Sequence, residues 1–214
     1  MPTKRRILIQ AGHLAPREPG HLAQTGAAGE QMLAVAIRDE LVRFLRADGR
    51  FEPIAAPGDI PDGIKVDAAL FLHADGSTNP ATSGYSFGYP GGYGTNIQLA
   101  NLIDSEFRRI PHIAHRRQDN YTRDMGGYYG YSRVATSGPE VLIEHGFLSN
   151  PTERAWLVAH VKDLAAAEYL ALLAFWAMAV PAPKPAPRDP LWNRLRKAKF
   201  GAKSIAQILK ALGR

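Results

Sequence analysis

The sequence predicts an α/β fold: a mixed, mostly parallel twisted sheet flanked by helices on both faces, followed by a basic C-terminal helical tail. Three observations predict it. Short apolar, often β-branched runs alternate with longer stretches of helical spacing. A proline-rich stretch at 181–190 closes the first part of the chain. Beyond that stretch the charge balance changes, with nine Lys and Arg against one acid in residues 181–214.

The elements follow in order. Arg6-Ile-Leu-Ile-Gln10 reads as a buried strand. Residues 30–47 place apolar side chains at 33, 34, 37, 41, 44 and 45, which is one face of a helix. Ala68-Ala-Leu-Phe-Leu-His73 is a second buried strand, and Gly84-Tyr-Ser-Phe87 a third. Residues 96–110 repeat the helical spacing, and Glu140-Val-Leu-Ile-Glu144 is again a strand. Asn150 should cap the next helix, with Pro151 at its first position and Glu153 completing a capping box. Residues 163–180 form a strongly apolar helix. The expected organisation is a body at 1–180, an extended linker at 181–190 and an amphipathic helical segment at 191–214.

Composition narrows the chemistry. Hydrophobic residues make up 45% of the 214, enough for a core, and charged residues 21%. There is no cysteine, so disulfides, thiolate metal ligands and a thiol nucleophile are excluded. No run of eighteen apolar residues suggests a membrane span. Arg5 and Arg6 are followed by only a short apolar run, so the expectation is a protein made in the cytoplasm without a signal peptide.

In open α/β sheets, sites gather at the carboxyl ends of strands. Three predicted strands end there in groups that bind metal or move protons: Gly12-His13, His73-Ala74-Asp75 and Glu144-His145-Gly146. Glu30 opens the first long helix after Gly26-Ala-Ala-Gly29. Two imidazoles and a carboxylate are a common donor set for catalytic zinc, and a second carboxylate nearby can take a proton from water. Each residue also has a plain alternative. A single strand-end histidine is often only hydrogen-bonded, and a helix-opening glutamate often only complements the helix dipole. Glu144 resists that alternative, because a carboxylate after Val-Leu-Ile needs a partner or a metal.

Residues 6–180 resemble the zinc-dependent N-acetylmuramoyl-L-alanine amidases of the amidase-3 type, found in autolysins and phage endolysins. The resemblance rests on Gly12-His13, on Glu30, on His73-Ala74-Asp75 and most specifically on Glu144-His-Gly-Phe-Leu-Ser-Asn150. It implies one Zn2+ per chain held by His13, Glu30 and His73, with Glu144 as the catalytic carboxylate. It implies peptidoglycan as substrate, cut between N-acetylmuramic acid and L-alanine, and points to a phage endolysin that acts once another protein opens the membrane. Gln10 and Leu14 depart from the family's usual Asp and Gly. That departure should reshape loop 14–29 and substrate access rather than metal binding. His145, beside Glu144 in a strand, should face the other way and be structural. His21, lying in the loop near the metal, is kept in view, while His112, His115 and His160 read as ordinary polar residues.

Substrate contacts are less specific. The Tyr- and Gly-rich stretch at 84–94 offers Tyr85, Tyr89 and Tyr93 to line a groove, or else packs as a surface connection. Arg116, Arg117 and especially Arg123 could meet stem-peptide carboxylates, or form a solvated face. In the tail, Trp192, Arg194, Arg196, Lys197 and Lys199 suit an anionic cell-wall polymer or membrane surface, with docking on the body as the alternative. No nucleic-acid motif is present, so no nucleic-acid partner is expected. Two other functions stay open: a non-catalytic wall-binding or regulatory protein on the same fold, and a zinc peptidase or deacylase acting on another amide.

Overall fold

Four apolar strands lie side by side and in parallel. They are β1 (Arg5–Ala11), β2 (Phe51–Ala56), β4 (Ala68–Asp75) and β7 (Glu140–Phe147). The computed structural model describes residues 3–13, 26–91, 94–136 and 138–178. The predicted linker and tail, with Trp192, Arg194, Arg196, Lys197 and Lys199, lie outside the described residues, as do His21 and Tyr93. The sheet runs β2-β1-β4-β7-β5, with β5 (Ser86–Gly88) antiparallel to β7 at one edge. A separate pair joins β3 (Ile64–Val66) to β6 (Val134–Thr136). The remaining elements are α1 (Glu30–Asp48), α2 (Gly94–Phe107), α3 (Arg123–Gly126), α4 (Gly130–Arg133), α5 (Pro151–Ala159) and α6 (Val161–Phe175). Among the described residues, no helix is long and apolar enough to cross a membrane.

Strand alternation divides the sheet into two unequal faces. Ile7 and Ile9, Leu70 and Leu72, and Val141 and Ile143 join a large core with α1, α2 and α6. Burying each such side chain contributes about 1.5–3 kcal/mol before chain entropy is counted. Leu8, Ala69, Phe71 and Leu142 point the other way, to a smaller core with Met125 of α3, Val66 of β3, and Tyr131 and Val134. The predicted helices on both faces are therefore uneven: three long helices cover one side, and on the other α3 and α4 have four residues each. That thin cover leaves room for a groove.

The ends of the elements show local causes. Gly49 stops α1 in the left-handed region, its N–H returning to the Leu45 carbonyl at 3.3 Å. Asn150 caps α5 as expected, accepting from Thr152 and Glu153 amides. The predicted capping box does not close, however. Glu153 is buried, and its carboxylate accepts instead from the amides of Gly84 at 2.9 Å and Phe147 at 3.0 Å. It ties the loop before β5 to the exit of β7. Strand β2 adds to the strands expected from the sequence; its Pro53 is tolerated because the strand stands at the sheet edge.

Candidate metal centre and catalytic carboxylate

His13, Glu30 and His73 come together at the carboxyl ends of β1 and β4. One donor atom from each lies within 4.8 Å of the others. His13 sits just past β1 with φ 55°, and its Nε2 is 3.4 Å from Glu30 Oε1. His73 Nδ1 is 2.9 Å from the same oxygen. The rings of His13 and His73 meet edge to face at 5.1 Å. Glu30 is fixed by its own turn: Oε2 accepts from Ala27 N at 2.8 Å, and Oε1 from Ala74 N at 3.2 Å.

Two glycines permit this crowding. A Cβ on Gly12 would stand 2.4 Å from the His73 ring, and one on Gly26 would stand 2.6 Å from Glu30 Oε2. Both distances lie well inside van der Waals contact. The Gly-His pair thus encodes close approach as well as a candidate donor.

Glu144 pairs in register with His73 across β4 and β7, so both face the same groove. Its Oε2 is sealed from solvent and has no hydrogen-bond partner. Burial first, and then the charges of Asp75 and Glu30, hold its pKa well above the ordinary carboxylate value. Asp75 is likewise raised by burial, against a hydrogen bond from the Tyr121 hydroxyl. Burial also pushes Glu30 up, but His73, His13 and the Ala27 amide outweigh it and leave the group below its usual value. Burial lowers the His13 pKa, which favours the neutral form that a metal needs.

The donor set fits a divalent ion of the zinc type. It offers two imidazole nitrogens and a carboxylate oxygen, with an unpartnered carboxylate alongside. The groove holds about 740 Å³ and is open to solvent; Tyr121, Tyr128, Tyr129, Asp59 and Asp124 line it together with His13, His73 and Glu144.

Several predicted contacts fall elsewhere. Tyr85 is buried in the helix-side core, its ring against Phe107 and its hydroxyl donating to Asp104 at 2.7 Å. Tyr89 packs on the same core and donates to Asp119 at 3.1 Å. Neither lines the groove, because β5 turns them to the helix side. Arg123 lies exposed beside groove-lining Thr122 and Asp124 and does not line the groove itself. Arg116 is engaged by Asp104 and Asp119, and Arg117 lies over the rings of Tyr121 and Phe147. The groove tyrosines are Tyr121 instead, together with Tyr128 and Tyr129 of Gly126-Gly-Tyr-Tyr-Gly-Tyr131, a stretch rich in Tyr and Gly like 84–94.

His145 faces away from Glu144, as strand alternation requires. Its Nε2 is 2.7 Å from Glu168 of α6 and its Nδ1 is 2.8 Å from the His73 carbonyl. Most of loop 14–29, which the departures at Gln10 and Leu14 are expected to reshape, lies outside the described residues. Gln10 itself lies behind His73, its amide oxygen accepting from Tyr128, whose hydroxyl also touches His73 Nε2 at 3.1 Å.

A donor cluster, an adjacent unpartnered carboxylate and an open groove at the strand ends define a hydrolase site. The model of the N-acetylmuramoyl-L-alanine amidase family matches residues 7–173. The chain belongs to this family and is an amidase acting on peptidoglycan. Solved structures share its fold. The catalytic domain of the amidase CwlV from Bacillus (Paenibacillus) polymyxa var. colistinus is 19% identical with a TM-score of 0.61, covering 82% of this chain and 99% of its own. The CwlD amidase from Clostridioides difficile, in complex with the GerS lipoprotein, is 18% identical with a TM-score of 0.56, covering 81% and 99%. AmiC2 of Nostoc punctiforme is 15% identical with a TM-score of 0.58, covering 81% and 97%. No curated protein sequence matches this one.

Proposed function

We propose that the chain uses one zinc ion, held by His13, Glu30 and His73, to hydrolyse the amide between the lactyl group of N-acetylmuramic acid and L-alanine of the stem peptide. The observation that carries this reading is the convergence of three donor atoms within 4.8 Å beside the unpartnered Glu144 oxygen. Bound zinc would polarise the scissile carbonyl and make water acidic enough, with a pKa of about 7, to act near neutrality.

The protein's own groups do the rest. Glu144, which lines the groove, accepts a proton from the attacking water and returns it to the leaving nitrogen. Burial and the like charges of Asp75 and Glu30 raise its proton affinity, which suits both halves of that transfer. The Ala27 and Ala74 amides keep Glu30 in place as a ligand. The open groove admits a chain-like substrate, with Tyr129, 41% exposed, at its wall.

The setting we propose is that of a phage endolysin degrading the host wall, on the strength of the motif resemblance. The basic segment at 191–214 is proposed as its wall or membrane contact, supported by its charge and by Trp192. The test is mass spectrometry of digested peptidoglycan. New free L-alanine amino termini are expected. New reducing sugar ends, or cuts within the stem peptide, would contradict the assigned bond.

A further inference from the structure

Behind His73, on the side away from Glu30, the structure carries a chain of hydrogen bonds that ends on a backbone carbonyl. Gln10, fully buried on β1, donates from Nε2 to the Gly58 carbonyl at 2.7 Å and to the Tyr129 hydroxyl at 2.8 Å. Its Oε1 accepts from the Tyr128 hydroxyl at 2.8 Å. The Tyr128 oxygen lies 3.1 Å from His73 Nε2.

The hydrogens in this chain can be assigned one at a time. A carbonyl only accepts, so the Gln10 nitrogen must face Gly58. Gln10 Oε1 therefore faces Tyr128 and can only accept from it. Tyr128 has one hydroxyl hydrogen, and that bond spends it. A phenol is protonated at neutral pH, so Tyr128 keeps that hydrogen. Toward His73 the Tyr128 oxygen can then only accept, and His73 Nε2 must carry a hydrogen.

That assignment matters for the other ring nitrogen. A neutral imidazole beside Glu30 alone would place its single hydrogen on Nδ1, toward the carboxylate at 2.9 Å. There it would block the donor atom. We propose that Tyr128 and Gln10 are positioning residues that hold the hydrogen of His73 on Nε2, leaving Nδ1 as the metal donor. The proposal rests on the reading of His13, Glu30 and His73 as a zinc site. Outer partners of ligand histidines commonly act this way, and losing one typically weakens metal binding about 10- to 100-fold.

The experiment is zinc affinity, measured by competition with a chromophoric chelator, on the full chain. Tyr128→Phe keeps the ring against Phe71 and Tyr131 but loses the hydroxyl. Gln10→Met keeps the buried volume and loses the acceptor. Tyr131→Phe is the control, since its hydroxyl donates to the Met125 carbonyl outside the chain. Thermal melts of the metal-free proteins check that each variant folds.

The expected result is zinc binding about 10- to 100-fold weaker in Tyr128→Phe and Gln10→Met, with Tyr131→Phe unchanged. In zinc-loaded protein, the His73 Nε2 hydrogen should exchange slowly with water in the native chain and fast in Tyr128→Phe. Native affinity in a folded Tyr128→Phe would overturn the proposal, as would equal weakening in Tyr131→Phe. His73→Ala separates the two readings: if it too binds zinc as tightly as the native chain, the zinc site itself is wrong.

Discussion

Neighbouring side chains on β7 meet opposite fates. His145 turns to the helix side and finds a partner, with Nε2 2.7 Å from Glu168 and Nδ1 2.8 Å from the His73 carbonyl. Glu144 turns to the groove side, where the charges acting on it are Asp75 and Glu30, both negative. Both positions bury an ionisable group, and burial alone is unfavourable for its charged form. On the helix side the His145 ring gives Glu168 a hydrogen-bond partner, which lessens that cost although burial still holds the Glu168 carboxyl above its ordinary value. On the groove side the cost is left standing, and the cluster of metal donors lies beside it. The difference separates a buried ionisable group with a hydrogen-bond partner from one that lies unpartnered on the groove side.

The comparison can be broken from the helix side first, where the larger stability effect is expected. Glu168→Leu conserves volume but leaves His145 Nε2 buried without its partner. The expected loss is about 3 kcal/mol in denaturant unfolding, as for other half-broken buried pairs, with zinc content unchanged. No loss would mean that the pair contributes nothing and that the two sides do not differ in this way.

A smaller effect of opposite sign is expected from the groove side. The folded pKa of Glu144 stands above its ordinary value. Such a group costs nothing while both states are protonated, and it destabilises the fold as pH rises through its folded value. In metal-free protein, Glu144→Gln removes that ionisation. Its melting temperature should exceed the native one by a few degrees near about pH 8, and the gap should close toward about pH 4. A gap that does not vary with pH would sink the argument that an unpaired charge is the cause.

Much of this was legible in the sequence because periodicity fixes facing. Alternation along Glu140-Val-Leu-Ile-Glu-His145 assigns Glu144 and His145 to opposite sides, and the structure agrees. The same logic places Ile7 and Ile9 on one face and Leu8 and Gln10 on the other. The motifs bring His13, Glu30 and His73 to one rim, and they meet there. What was not legible depends on distant partners. Composition does not distinguish the Tyr/Gly stretch at 84–94, whose Tyr85 and Tyr89 pack inward, from the one at 126–131, whose Tyr128 and Tyr129 line the groove. Gln10 looked like a mere departure from the family pattern. Its role depends on Tyr128, 118 positions away, and on which way an amide and a hydroxyl point. Glu153 fits a local capping rule, yet burial gives it two backbone amides elsewhere.

The central claim is that Glu144 moves the proton while His13, Glu30 and His73 hold the ion. The most direct measurement compares turnover on purified peptidoglycan for native chain and Glu144→Gln, each with its zinc content determined. Both should carry one zinc per chain, and the variant should turn over about 10²- to 10⁴-fold more slowly. Near-native turnover by Glu144→Gln at full zinc occupancy would contradict that claim.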